Sequence, residues 1–265
     1  YDHLPMSVIS CSCVAEKGDR REEASVSFGG RWGFEAFTIE RLDGLVDEAV
    51  ARTTRLLEAV MPAAGEMPVV LGSGASGILL HEAIGHGMEA DFNRKGTSIY
   101  ADAMGKAIAP SFVSIVDDGT RPNLRGSINV DDEGTAAQRT VLVEGGRLRS
   151  YLHDRLSARH YGVEPTGNGR RQSFRHPVLP RMRTTFLEAG PHRREEILRS
   201  VKRGIYAESF SNGQVQIGAG DFTFYIKTGY LIEDGKLTAP IKDVNLIGNG
   251  PKVLEAVEMV ADDLE

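Results

Sequence analysis

The chain has 265 residues, 41% of them hydrophobic and 26% charged, so it can bury a sizeable core without disulfide staples. Its net charge of −6 leaves no overall positive field, which argues against nucleic acid as a partner, and no apolar run reaches the roughly 18 to 20 residues that cross a bilayer. Two cysteines, Cys11 and Cys13, fit a reducing, cytoplasmic setting.

Residues 6–14 and 24–28 cluster or alternate β-branched side chains around a charged turn at 16–23, which predicts a strand pair. A third short strand is expected at 32–37. From Thr38, a plausible N-cap, Leu42, Leu45, Val46, Ala49, Val50, Leu56, Leu57 and Val60 keep helical spacing until Pro62. The Pro62, Ala63, Ala64, Gly65 stretch then breaks the chain and is the expected domain boundary. Beyond it, 68–71 reads as a strand, 72–74 as a turn and 77–90 as a helix. Strands are expected at 112–116, at 140–144 with 147–152 as a hairpin about Gly145 and Gly146, and at 184–187. Residues 154–161 and 193–201 read as helices, and 214–217, 222–226 and 230–232 as a meander. Residues 166–180 read as a long surface loop, of the kind that often carries function, and 251–265 as an amphipathic helix. Because the chain starts at Tyr1 and its last helix has no cap after Glu265, both ends read as cut. The thirty glycines point to many tight turns. The fold class is α+β: strand-rich, largely antiparallel sheets with a few packed helices.

The segment His81, Glu82, Ala83, Ile84, Gly85, His86 is where chemistry concentrates. A hydrolytic zinc site needs imidazole, carboxylate or thiolate ligands, an open position and a nearby carboxylate to take a proton. On a regular α-helix a five-residue gap turns the chain by about 500°, leaving the two rings roughly 140° apart. One face is restored by a π-type turn, in which residue i pairs with i+5, and Gly85 is the residue expected to permit it. Leu79, Leu80 and Ile84 place the motif on a buried, apolar helix.

The run from Gly77 to Phe92, GILLHEAIGHGMEADF, followed by VDDGT at 116–120, resembles the TldD branch of the TldD/PmbA metallopeptidase family. The blocks RMRTT (181–185), GYLIEDGK (229–236) and LIGNG (246–250) look like later parts of the same pattern. The resemblance covers about residues 6–265. It implies a zinc peptidase acting on unstructured peptides or peptide leaders, with His81 and His86 as zinc ligands and Glu82 as general base. It also implies a third ligand, a cysteine, outside this chain, and a partner that is a TldE/PmbA-like subunit or an identical copy. Residues 1–65 then read as a remnant of a central α+β domain and 66–265 as a truncated C-terminal metallopeptidase domain. An inactive binding or assembly subunit is the alternative.

Other residues carry weaker expectations. Glu89 and Asp91 follow the motif and can orient its histidines or simply solvate a helix end. Arg170, Arg171, Phe174, Arg175, His176, Arg181 and Arg183 combine guanidinium groups with a ring, and Arg175 and Arg181 are taken as substrate-binding. The acidic pairs Asp117, Asp118 and Asp131, Asp132, Glu133 read as turns and solvated loops. His153, His160 and His192 read as isolated.

Overall fold

The computed structural model describes residues 3–264; residues 1, 2 and 265, and with them the readings of the two chain ends, lie outside the described residues. The first two strands are longer than the sequence suggests. β1 (Ser7–Lys17) and β2 (Arg20–Gly30) pair antiparallel along their whole length about a two-residue turn, where Gly18 takes φ +62°, a conformation glycine adopts without strain. The strand expected at 32–37 is instead a 3₁₀ turn, Phe34–Ala36. Aromatic stacking decides this: Trp32 lies on Phe28 at 4.9 Å and Phe37 meets Phe28 edge-on at 6.1 Å, a cluster that period-two alternation would pull apart.

Thr38 caps α1 (Ile39–Leu56) as expected. The helix lays Leu45, Ala49 and Thr53 on the hairpin, and Thr53 Oγ1 donates to the carbonyls of Ala49 and Cys13. Cys11 and Cys13 stay free and half-buried. Polar contacts then tie this unit to the large sheet: Arg55 to the Tyr230 hydroxyl, Lys227 to the Ser25 carbonyl and Lys242 to Glu22.

β3 (Val69–Leu71) leads directly into α2 (Ser73–Leu79), whose first turn begins one residue beyond Gly72. The helix expected over 77–90 is not one helix. α2 passes into a π turn, Leu80–Ile84, then a 3₁₀ turn, Gly85–Met88, and the path breaks at Glu89 (φ −72°, ψ 126°) before α3 (Ala90–Arg94). Next come β4 (Ile115–Asp118), β5 (Arg139–Glu144), β6 (Arg147–Leu148), α4 (Arg155–Tyr161), β7 (Gly169–Arg170), β8 (Leu179–Pro180) and β9 (Thr185–Leu187). β4, β5, β6 and β9 form one antiparallel sheet in the order β6-β5-β4-β9. Residues 150–152 leave the hairpin to run beside the motif, with Ala90 N donating to Leu152 O and Leu152 N to Met88 O.

After α5 (Arg194–Ser200), β10 (Arg203–Val215) pairs along β11 (Asp221–Glu233), and β12 (Lys236–Pro240) and β13 (Val244–Asn249) both join β11. The expected strands 222–226 and 230–232 are thus one strand, and β10 begins eleven residues before the expected 214. Its alternation is interrupted by register shifts between Ala207 and Asn212. β3 pairs parallel with β10 at Ile205, Tyr206 and Ala207, the one parallel ladder between named strands, and so hangs α2 and the π turn over this sheet.

The amphipathic pattern at 251–265 yields only α6 (Gly250–Glu255). Beyond it the chain is extended, because residues 190–192 offer backbone partners: Gly190 N donates to Ala261 O, His192 N to Val260 O and Asp262 N to His192 O. The main core gathers Leu79, Leu80, Ala83, Ile84 and Met88 from around the motif with Phe222, Phe224 and Ile226 from β11. Burying Ile84 and Met88 stabilises the fold by about 1.5 to 3 kcal/mol each, so the apolar positions that interleave the motif anchor it. No helix among the described residues is long and apolar enough to cross a membrane.

Candidate metal centre

The π turn sets the geometry. Gly85 N donates to Leu80 O, the i to i+5 bond that widens the turn, and to His81 O as well. His81 and His86 come together edge to face with ring centroids 4.9 Å apart, and His86 Nε2 lies 3.8 Å from Glu82 Oε2. Ligand atoms of His81, Glu82 and His86 all lie within 4.8 Å of one another. Two imidazoles and a carboxylate so spaced are the donor set that zinc accepts, and they fit such an ion. Neither Cys11 nor Cys13 belongs to the cluster.

Gly85 earns its place for a reason other than backbone freedom. Its φ of −62° and ψ of −44° are ordinary for a helix, but a Cβ there would stand 2.2 Å from Met182 Sδ. The missing side chain lets Met182, itself buried, seat against the motif. A second close approach supports the turn from behind, since a Cβ on Gly250 would lie 2.2 Å from Ala83 O. Gly250→Ala is therefore expected to push α6 off the π turn, destabilise the protein by about 1 to 3 kcal/mol and weaken zinc binding. Gly44→Ala, at a position in α1 with nothing within 4 Å of the added carbon, is expected to stabilise by about 0.5 to 1 kcal/mol. Denaturant titration of both variants alongside zinc titration checks the pair.

Glu89 is fully buried, which rules out helix-end solvation. Its Oε2 lies 3.1 Å from His86 Nδ1 and accepts from Arg181 Nη1 at 3.1 Å. With the carboxylate ionised, His86 carries its proton on Nδ1 and turns the Nε2 lone pair toward Glu82. The hydrogen bond to Glu89 raises the proton affinity of His86, while burial, the charge of His86 and Arg170 lower that of His81. Burial pushes the Glu89 carboxyl up, and His86 and Arg181 oppose it.

Asp91, also buried, takes the other side of Arg181 at 3.5 Å. Arg181, expected at the substrate, thus stands behind the histidine pair with two carboxylates. Arg175 is exposed near the tip of the β7–β8 hairpin, its guanidinium 5.3 Å from the centre of the Phe174 ring.

The acidic pairs are not simply solvated. Asp117 is buried and accepts from Asn168 Nδ2, Arg183 N and Thr185 Oγ1. Asn168 also exchanges backbone and side-chain bonds with Arg181, so this carboxylate fixes the segment carrying Arg181 and Met182. Asp131, also buried, accepts from the backbone of Glu133, Thr135 and Gly169. Asn93 and Ser98, to which no spacing rule pointed, donate to Gly87 O and hold the 3₁₀ turn. His153 is buried among Tyr151 and Tyr161, and desolvation lowers its pKa to about 4, which keeps it neutral.

Residues 64–265 match the PmbA/TldA metallopeptidase C-terminal domain and residues 1–57 the central domain of the same group. The chain is 45% identical, over its whole length, to a protein of Haemophilus influenzae named metalloprotease TldD homolog, and spans 56% of that protein. It is 33% identical over 97% of its length to a zinc metalloprotease TldD homolog of Saccharolobus solfataricus, of which it covers 57%. It therefore spans about half the length of the curated relatives it matches. The crystal structure of TldE from Thermococcus kodakarensis has the same fold, with a TM-score of 0.82 at 22% identity over 97% of this chain and 57% of that one. By motif, by fold and by these matches the chain belongs to the TldD/PmbA metallopeptidase family.

Proposed function

We propose that residues 66–265 form the catalytic part of a zinc-dependent peptidase that hydrolyses unstructured peptides or peptide leaders. The observation that carries this reading is the convergence of His81, Glu82 and His86 within 4.8 Å on a π turn, with Glu89 fixing the far nitrogen of His86. His81 and His86 hold the metal, and a cysteine outside these 265 residues is proposed as the third protein ligand. When bound, zinc supplies Lewis acidity to the peptide carbonyl and to the attacking water. Glu82, half-exposed with its Oε2 3.8 Å from His86 Nε2, takes the water's proton and returns it to the departing amine. Glu89, with Arg181 and Asp91 behind it, keeps the His86 ring in orientation.

An extended substrate adds to a sheet edge, which selects for unfolded chains. β9 is the edge strand of its sheet and packs against the π turn, which supports it as the receiving edge. Arg175, exposed on its hairpin, is a further contact for the peptide. The partner is a TldE/PmbA-like subunit or a second copy, in the reducing cytoplasm where Cys11 and Cys13 remain free thiols.

The test is zinc content and cleavage measured together on the intact protein. Zinc is expected to bind and an unstructured peptide to be cut, while His81→Ala and His86→Ala each lose zinc by more than the roughly 10- to 100-fold that loss of an outer partner costs. Chelation should abolish cleavage, and zinc should restore it. Zinc binding without cleavage of any unfolded peptide would instead support an inactive assembly subunit.

A further inference from the structure

We propose that Met182 is a positioning residue of the metal centre: its thioether, seated on Gly85, sets how His86 meets the ion and so how tightly zinc is held. This rests on the zinc-site reading above. His86 stands between two glycines, and each is closed by a buried side chain. A Cβ on Gly85 would lie 2.2 Å from Met182 Sδ, and one on Gly87 would lie 2.8 Å from the Tyr100 ring; both Met182 and Tyr100 are buried. The two walls differ in what fixes the backbone they touch. Gly87 O accepts from Asn93 Nδ2 and Ser98 Oγ, so the Tyr100 side is held by hydrogen bonds from outside the motif as well as by packing. Gly85 N donates to Leu80 O and His81 O, bonds that stay inside the motif. Of the three atoms nearest the Gly85 Cβ position, the two from outside the turn are Sδ and Cε of Met182.

The segment that carries Met182 is clamped on both sides of it. Arg181 N donates to Asn168 O, Asn168 Nδ2 to Arg181 O, and Arg183 N to Asp117 Oδ1. Arg181 also reaches Glu89, whose carboxylate meets His86 Nδ1. Adjacent residues thus support His86 from two directions, the guanidinium through Glu89 to the ring and the thioether through Gly85 to the backbone. With its neighbours' backbone tied, Met182 can yield only by turning its own side-chain bonds inside a close-packed core. An unbranched thioether fills such an irregular gap. It presses on the residue that closes the π turn, where the five-residue gap between the histidines is absorbed, so its shape bears on the spacing of the ligands and not on stability alone.

Zinc affinity is measured on the intact protein by chelator competition, and the Co(II)-substituted protein is followed by its visible absorption, which reports ligand geometry. Met182→Ala is expected to weaken zinc by about 10-fold or more and to shift the Co(II) bands, with Met182→Leu, closer in volume, falling between it and the unaltered protein. Gly85→Ala should act likewise, because its methyl takes the place of the sulfur. In Gly85→Ala/Met182→Ala the two size changes offset each other, so affinity and spectrum are expected to return most of the way, a recovery that two independent losses do not give. Unaltered zinc affinity and an unaltered Co(II) spectrum in Met182→Ala, whatever its denaturation midpoint, overturn the inference. A double variant that binds zinc no more tightly than Gly85→Ala alone overturns it too. If Met182→Ala does not fold, Met182→Leu and the double variant decide by the same two criteria. Cleavage of an unstructured peptide by the unaltered zinc-loaded protein is run alongside: zinc bound with these responses but no peptide cut overturns the peptidase reading and supports Met182 as assigned. Failure of the unaltered protein to bind zinc overturns both.

Discussion

Glu82→Gln is expected to lower kcat/KM for an unstructured peptide by about 10²- to 10⁴-fold, the usual contribution of a positioned general base, while zinc stays bound. The isosteric amide keeps the size of the side chain but cannot accept a proton from water at neutral pH. Structure should be unaffected, since the side chain of Glu82 is half-exposed and its nearest charged neighbour among the described residues is His86 at 3.8 Å. The His81 and His86 variants behave differently, because they lose activity through loss of the metal. Measuring zinc stoichiometry and single-turnover cleavage on the same preparation separates the two modes. Unchanged cleavage by a zinc-replete Glu82→Gln protein would remove Glu82 from the mechanism.

Much of this was legible in the residues because the physics was local. Five-residue spacing between the histidines is incompatible with a regular α-helix, and the π turn at Leu80–Ile84 is the widening that the mismatch demands. Thr38 as an N-cap and Gly145 and Gly146 as a hairpin turn likewise declare themselves by local chemistry, a capping hydroxyl in the one case and freedom at positive φ in the other. What failed to show was decided by partners distant in sequence. β10 was hidden because Gly204, Glu208, Asn212 and Gly213 break its alternation, yet Gly204 and Gly213 are small to admit the backbone of Pro68 and the ring of Phe224. The tail after Glu255 kept a helical pattern, but the unpaired backbone of 190–192 drew it into an extended path.

The site shows the same division. The cluster of His81, Glu82 and His86 was readable from its spacing, whereas the surroundings of the arginines were not. Arg181 and Arg175 look alike in a basic loop. Only the approach of residue 89 to residue 181, ninety-two positions apart, reveals that one guanidinium is structural. Buried Asn93 and Asn168 gave no signal at all and buried Asp117 read as a solvated turn, since a polar side chain that braces a loop is indistinguishable in sequence from one that meets solvent.

That bracing makes Glu89 the second large test. Glu89→Gln is expected to weaken zinc binding by about 10- to 100-fold because one oxygen now serves both His86 Nδ1 and Arg181 Nη1 and its charge makes the opposite nitrogen of His86 a better donor. In the metal-free protein the same hydrogen bond raises the proton affinity of His86. Protons therefore compete with zinc from a higher pH than at a free imidazole, and zinc loading falls as pH drops through that range. Removing the charge shifts this fall to lower pH, opposing part of the affinity loss in acid. Glu89→Ala adds a cavity at a fully buried position and leaves Asp91, at 3.5 Å, as the one carboxylate paired with Arg181 among the described residues, costing about 1 to 3 kcal/mol of stability. Asp91→Asn should do less on both counts. Competition with a chelator across pH, beside denaturant titration with and without zinc, resolves the two roles: a stability loss with zinc affinity and its pH profile unchanged would reduce Glu89 to a packing residue.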